Sequence, residues 1–185
     1  MPRLPDIDPA QLDADQRRAY DAIASGPRGG VRGPLAVWVR RPELADKAQA
    51  LGRYARYDSS LSTALTELAV LIVARIWSSE YEWRAHKKIA LEAGVDAAVI
   101  EDIRCHRTPR FGSDEERVVY DVAMMLHRER FLPQSLYDRA LEALGLARTI
   151  DLVAVLGYFT LISMTINVFE VSHADGTPNE LQPPA

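Results

Sequence analysis

The chain of 185 residues has a single cysteine, Cys105. That excludes an intramolecular disulfide, a CxxC redox pair and a cysteine-rich zinc site. No stretch alternates apolar and polar residues as a half-buried strand does, and no hairpin turn signal stands between two such stretches. Basic residues are in deficit: 22 Lys and Arg against 26 Asp and Glu leave a net charge of −4. A surface of that sign does not suit nucleic acid, whose phosphates need clustered cations. The N-terminus MPRLPDIDPA has no apolar core of the secretory kind. Together with the near-absence of cysteine, this points to the cytoplasm.

Long apolar runs are also few. LAVLIVA (68–74) is far short of the roughly 20 residues a membrane span requires. LVAVLGYFTLISMTINVF (152–169) comes nearer, but it contains Gly157, Thr160, Ser163, Thr165 and Asn167 and lacks basic flanks. It reads as a helix buried in a bundle or at a subunit interface, with no membrane as partner.

What the chain has in quantity is helix signal. Apolar residues make up 48% and charged residues 26%, which suits one domain with a substantial core. Asp13-x-x-Gln16 and Ser113-x-x-Glu116 have capping-box spacing. SGPRGGVRGP (25–34) must be a loop, because glycine and proline oppose helix and strand interiors. Helices are expected near 42–57, 63–77, 80–93, 97–104, 113–130, 133–144 and 147–169, with Gly94 and Gly145 as stops. The expectation is an all-α, single-domain bundle of seven or eight helices over 1–171. A polar, proline-rich tail (172–185) should cross the surface or be mobile.

The chemistry concentrates in two of these helices. On a helical wheel of 79–93, Glu80, Arg84, Lys87, Lys88 and Glu92 share one side. Glu82 and His86, four residues apart and therefore neighbours, fall in the opposite arc with Trp83, Ala85, Ile89, Ala90 and Ala93. In the preceding helix, Glu67 and Arg75 are charges in an otherwise apolar run. A buried charge without a partner costs several kcal/mol or neutralises. Glu67 therefore needs His86, Glu82 or Arg75, and the turn at Ser78-Ser79 brings them alongside. Two readings of Glu82 stand. Ser79-x-x-Glu82 also has capping-box spacing, which would turn Glu82 back onto its own helix. Alternatively, Glu67, Glu82 and His86 meet in one apolar pocket, where perturbed proton affinities serve acid–base chemistry. On helix propensity alone, His86→Ala should leave the fold intact.

The segments DQRRAYDAI, GPRGGVRGP, ELAVLIVARIWSSEYEWRAH and GYFTLISMTINVFEV resemble the carboxymuconolactone decarboxylase family, related to alkylhydroperoxidase D. The resemblance covers most of the chain. The alkylhydroperoxidase branch has C-x-x-C-x-x-x-H; here Ser79 and Glu82 stand at the pair positions, before His86, with Glu67 as the upstream acid. The SEYEWxxH form resembles the cysteine-less, decarboxylase-type branch. Without two thiolates a peroxidatic disulfide cycle has no nucleophile or resolving group.

The resemblance implies an alkylhydroperoxidase D-like fold that assembles into homotrimers or hexamers, often with the pocket near an interface. It further implies a cofactor-free carboxy-lyase acting on a small carboxylated lactone such as 4-carboxymuconolactone; no metal is expected, although Glu67, Glu82 and His86 could supply ligands as a weaker alternative. In that reaction the unsaturated lactone is its own electron sink. His86 then returns a proton, with Glu67 and Glu82 setting its tautomer and affinity. Arg28, Arg32 and Arg75 are candidates for bidentate contact with substrate carboxylates, and Ser79, Tyr54 and Trp83 for further substrate contacts. Two alternatives remain: a proton-transfer isomerase or dehydratase using the same residues, and a non-catalytic oligomeric ligand-binding protein of this fold.

Overall fold

Every residue from Leu65 to Arg75 is buried, and the helix that carries them is the axis of the molecule. The computed structural model describes residues 2–26, 29–173 and 176–181. Among these residues there are eight α-helices and no strand: α1 (Ala14–Ala24), α2 (Pro34–Trp38), α3 (Pro42–Arg53), α4 (Thr63–Ile76), α5 (Glu80–Glu92), α6 (Ala97–Arg104), α7 (Asp114–Glu129) and α8 (Gln134–Phe169). The chain is thus the all-α bundle its sequence implies. The central helix is α4, packed against α5, α7 and α8. It is apolar on almost all sides because it has neighbours on almost all sides.

Local chemistry sets the boundaries. The capping boxes at Asp13 and Ser113 both form. The Ser62 hydroxyl caps α4 by accepting from the Leu65 N–H at 3.3 Å. α4 ends where Ser78 takes a positive φ of 46° and the Ser79 N–H reaches the Ala74 carbonyl at 2.7 Å. That tight reversal lays α5 antiparallel against α4. α8 runs as one element but is interrupted at Gly145, whose φ of 75° and ψ of 169° are not helical. The stop expected at Gly145 is therefore a sharp break, closed by the Thr149 hydroxyl donating to the Gly145 carbonyl at 2.8 Å.

Two features depart from the sequence reading. The helix expected to reach Tyr57 does so, but α3 widens into a π-helical turn over Tyr54–Asp58, closed by Ser59 N–H to Tyr54 O at 2.9 Å. The described part of the tail takes the surface course expected of it, but through an unexpected residue. The Glu80 carboxylate accepts from the backbone N–H groups of Glu180 and Leu181 at 3.0 and 2.9 Å, and the Leu181 side chain is buried. The helix wheel assigned Glu80 to solvent, but it is the anchor of this segment.

Candidate active site

His86 lies between two carboxylates. Its Nδ1 is 2.6 Å from Glu67 Oε2 and its Nε2 is 3.0 Å from Glu82 Oε2, with all three side chains buried. α4 supplies Glu67 from its buried face. α5 supplies Glu82 and His86 one helical turn apart. The edge of the imidazole meets Phe159 of α8, with ring centroids 5.1 Å apart and planes at 83°. Ser79 makes no side-chain cap on α5. The capping-box alternative is therefore not realised, and the Glu82 carboxylate is directed to the imidazole.

The two contacts on His86 differ. Glu67 Oε2 forms a short hydrogen bond with Nδ1. Glu82 Oε2 is close to Nε2, yet no hydrogen-bond donor is aligned with it. We read the second contact as a charge pairing that leaves a lone pair available. Burial pulls the proton affinity of His86 down, but the Glu67 hydrogen bond and the charges of both carboxylates outweigh it and push its pKa up to about 9. The ring is an imidazolium near neutral pH.

This has a thermodynamic consequence with a definite sign. The folded-state value of about 9 lies above the ordinary 6.5. Ionisation of His86 therefore contributes about 3 kcal/mol of stability. The contribution is complete below pH about 6.5 and disappears as pH rises through about 9. A ring-nitrogen NMR titration should show His86 charged at neutral pH and losing its proton well above it. A ring already neutral at pH 7 would contradict this arrangement.

Glu82 and His86 line a cavity of about 530 Å³, together with Arg32, Arg56, Tyr57, Tyr81, Phe159 and His173. Glu67 is not part of its lining and supports the imidazole from α4. Guanidinium groups on the lining of a cavity with a buried acid–base pair suit an anionic ligand. Among the described residues no cluster of three or more His, Cys, Asp or Glu side chains is disposed to hold a metal ion. The carboxylates here occupy opposite nitrogens of one ring.

Other residues singled out from the sequence lie elsewhere. Arg75 donates to the Arg104 carbonyl at 2.8 Å and the Ser78 hydroxyl at 2.9 Å, at the far end of α4. It pairs with neither Glu67 nor the cavity, because the last turn of α4 carries it to α6. The Tyr54 hydroxyl donates to Asp151 at 2.6 Å, so Tyr54 ties the π-helical turn to α8, and its neighbour Tyr57 faces the cavity instead. Trp83 is fully buried and donates its indole N–H to Glu180 at 3.2 Å. Ser79 is fully buried in the α4–α5 turn and does not line the cavity. Arg28 lies outside the described residues. Sequence reasoning missed Arg56, Tyr81, Phe159 and His173. The first two sit among polar neighbours, and nothing in their spacing distinguishes them.

Residues 42–124 match the model of the carboxymuconolactone decarboxylase family, a segment that contains Glu67, Glu82 and His86. Over that segment, a little under half of its length, the chain is similar to this family. Two solved structures share its fold. One is an alkylhydroperoxidase AhpD core, an uncharacterized peroxidase-related protein from Ralstonia eutropha JMP134. It is 16% identical, with a TM-score of 0.75 over 94% of this chain and 93% of that one. The other is an uncharacterized peroxidase-related protein from Silicibacter sp. TM1040, 18% identical, with a TM-score of 0.74 over 97% and 95% of the two chains. No curated protein matches the chain. The matched segment holds the Glu67–His86–Glu82 arrangement, one buried imidazole between two carboxylates.

Proposed function

We propose that the protein is a cofactor-free carboxy-lyase for a small, unsaturated, carboxylated lactone or related acid, of the 4-carboxymuconolactone kind. The observation that carries this reading is an imidazolium held between two buried carboxylates at the wall of a cavity that also presents two arginines. Arg32 and Arg56 orient the substrate carboxylates. The C–C bond to the leaving carboxylate breaks, its electron pair delocalises into the unsaturated lactone carbonyl, and carbon dioxide departs. The resulting dienolate takes a proton from Glu82, which His86 Nε2 supplies, while Glu67 holds the ring in place. The balance is one carboxylate and one proton consumed, one C–H bond and one carbon dioxide formed. The test is a screen of 4-carboxymuconolactone and related unsaturated lactone acids for carbon dioxide release. A panel from which none is released overturns the reading.

The same acid–base set also serves a proton-transfer isomerisation, and product identification separates that outcome. The two structural relatives are named as peroxidase-related, but a thiol peroxidase cycle needs two cysteines and this chain has one. Cys105 hydrogen-bonds with Glu101 and Arg104 at the end of α6 and does not line the cavity. We therefore expect no thiol-dependent reduction of hydroperoxides. A robust peroxide turnover that disappears in Cys105→Ser would contradict this.

The homo-oligomer that the resemblance implies has a matching surface. Leu146, Ile150, Val153, Leu161, Met164 and Val168 are all exposed on α8. Their spacing of three and four residues, with Gly157 in register, places them on one stripe. A contiguous apolar stripe of this kind suits burial against a second copy. Light scattering should give a trimer or larger, and Val153→Asp should shift it towards monomer. A monomeric wild type at micromolar concentration counts against the association.

A further inference from the structure

We propose that His173 is a second proton-transfer group of the cavity, one that accepts a proton from substrate while Glu82 delivers one. This rests on the reading of the cavity as the active site, but on a segment that lies beyond the family match at residues 42–124. The chain leaves α8 at Glu170, which takes a left-handed φ of 50°. It turns back over α5, so that the His173 ring stacks on Tyr81 with centroids 4.3 Å apart and planes within 6°. His173 Nε2 lies 3.2 Å from the Tyr81 carbonyl oxygen. A carbonyl only accepts, so Nε2 carries the hydrogen, and in the neutral ring the lone pair resides on Nδ1. Nδ1 has no hydrogen-bond partner among the described residues.

The position is built. The Tyr81 ring also lies against Gly33, where a Cβ would come within 2.6 Å of the ring and where φ is +60°. Tyr81 thus touches both a glycine and an imidazole. Beyond His173 the segment returns to the same helix. Glu80 binds the N–H groups of residues 180 and 181, and the Glu180 carboxylate receives Lys87 Nζ at 2.6 Å as well as the Trp83 indole. α5 thus holds this segment at both ends and carries Glu82 and His86 between them. All three titratable side chains line one cavity. A stacking ring alone would need no fixed tautomer, whereas a base does.

The chemistry this allows is a 1,3-proton shift in a β,γ-unsaturated lactone. His173 Nδ1 removes the proton α to the carbonyl, and the C–H pair becomes the new π-bond. The electrons of the old π-bond take a proton at the γ-carbon through Glu82, which His86 Nε2 supplies. One proton leaves and one arrives, and solvent takes the proton from His173 and returns one to His86. No oxidant or metal enters the balance.

The experiment uses α-angelica lactone, an uncharged β,γ-unsaturated lactone, in heavy water, with the full-length protein. Wild type should catalyse deuterium entry at the α-carbon. His173→Gln, which keeps a donor for the Tyr81 carbonyl, and His173→Phe, which keeps the stack, should each slow it roughly 100-fold, the scale of losing a general base. Unfolding midpoints establish that each variant is folded. Ring-nitrogen NMR of the wild type should show His173 as the Nε2–H tautomer. Absence of exchange in the wild type, exchange at the wild-type rate in either folded variant, or an Nδ1–H tautomer overturns the proposal. Carbon dioxide release from the lactone acids does not depend on the His173 tautomer, so the decarboxylase reading fails or stands separately.

Discussion

Glu82→Gln should lower turnover roughly 100-fold or more on whichever lactone acid the wild type decarboxylates, the scale expected for loss of a general acid. The variant is a clean one. Glutamine keeps the volume and the contact with Nε2, while Glu67 keeps its 2.6 Å hydrogen bond to Nδ1. The imidazole thus remains held but has lost the carboxylate that passes its proton into the cavity. A steady-state comparison of kcat and KM decides the matter. A fall in kcat with little change in KM fits a proton-transfer role. Unchanged kcat would remove Glu82 from the reaction and leave it a structural counter-charge.

His86→Ala should be both inactive and unstable. Alanine suits a helix, and on that ground alone the fold would survive. The geometry reverses the expectation. Glu67 and Glu82 approach the ring from its two nitrogens, and both are buried. Removing the cation leaves two carboxylates facing each other in an apolar space, a change that costs about 3–5 kcal/mol when one partner of a buried ion pair is deleted. The sign with pH follows. The stabilisation that the imidazolium supplies is complete below pH about 6.5 and is lost as pH rises through about 9, so the deficit relative to wild type should shrink as pH rises over that range. Urea unfolding of both proteins at neutral and alkaline pH measures this. A variant as stable as wild type at neutral pH would mean that the carboxylates find other partners, and that the imidazolium is not what holds them.

These residues also mark how far the sequence carries. The inward faces of Glu82 and His86 were legible because α5 is amphipathic and the wheel is a property of the backbone alone. The need of Glu67 for a partner was legible because its helix is apolar all round. Which partner it takes was not. Arg75 and His86 were both candidates, and the choice depends on how far α4 runs before the Ser78 turn. The competition between Ser79 capping and His86 for Glu82 was likewise a tertiary matter, decided by a buried cation that local spacing does not encode. Arg56, Phe159 and His173 reach the cavity from three other parts of the chain. Of the two expectations for the tail, crossing the surface or being mobile, its described part takes the first, held by Glu80, Trp83 and Lys87. HADGTPNEL carries no periodicity from which that docking could be read.

The π-helical turn at Tyr54–Asp58 also bears on how a cavity of this kind can diversify. A π turn holds one residue more than the α-helical turn it replaces. Its register is pinned from outside by Asp151, which binds the Tyr54 hydroxyl and both the N–H and the hydroxyl of Ser60. Arg56 and Tyr57 sit inside the bracket those bonds define. Losing one residue between the pins would restore α geometry and swing the two side chains around the helix axis by about 100°. The lineage can thus exchange one cavity wall for another by a single-codon deletion that leaves the proton-handling residues untouched, so ligand preference in this fold is open to change in chain length as well as in side-chain identity.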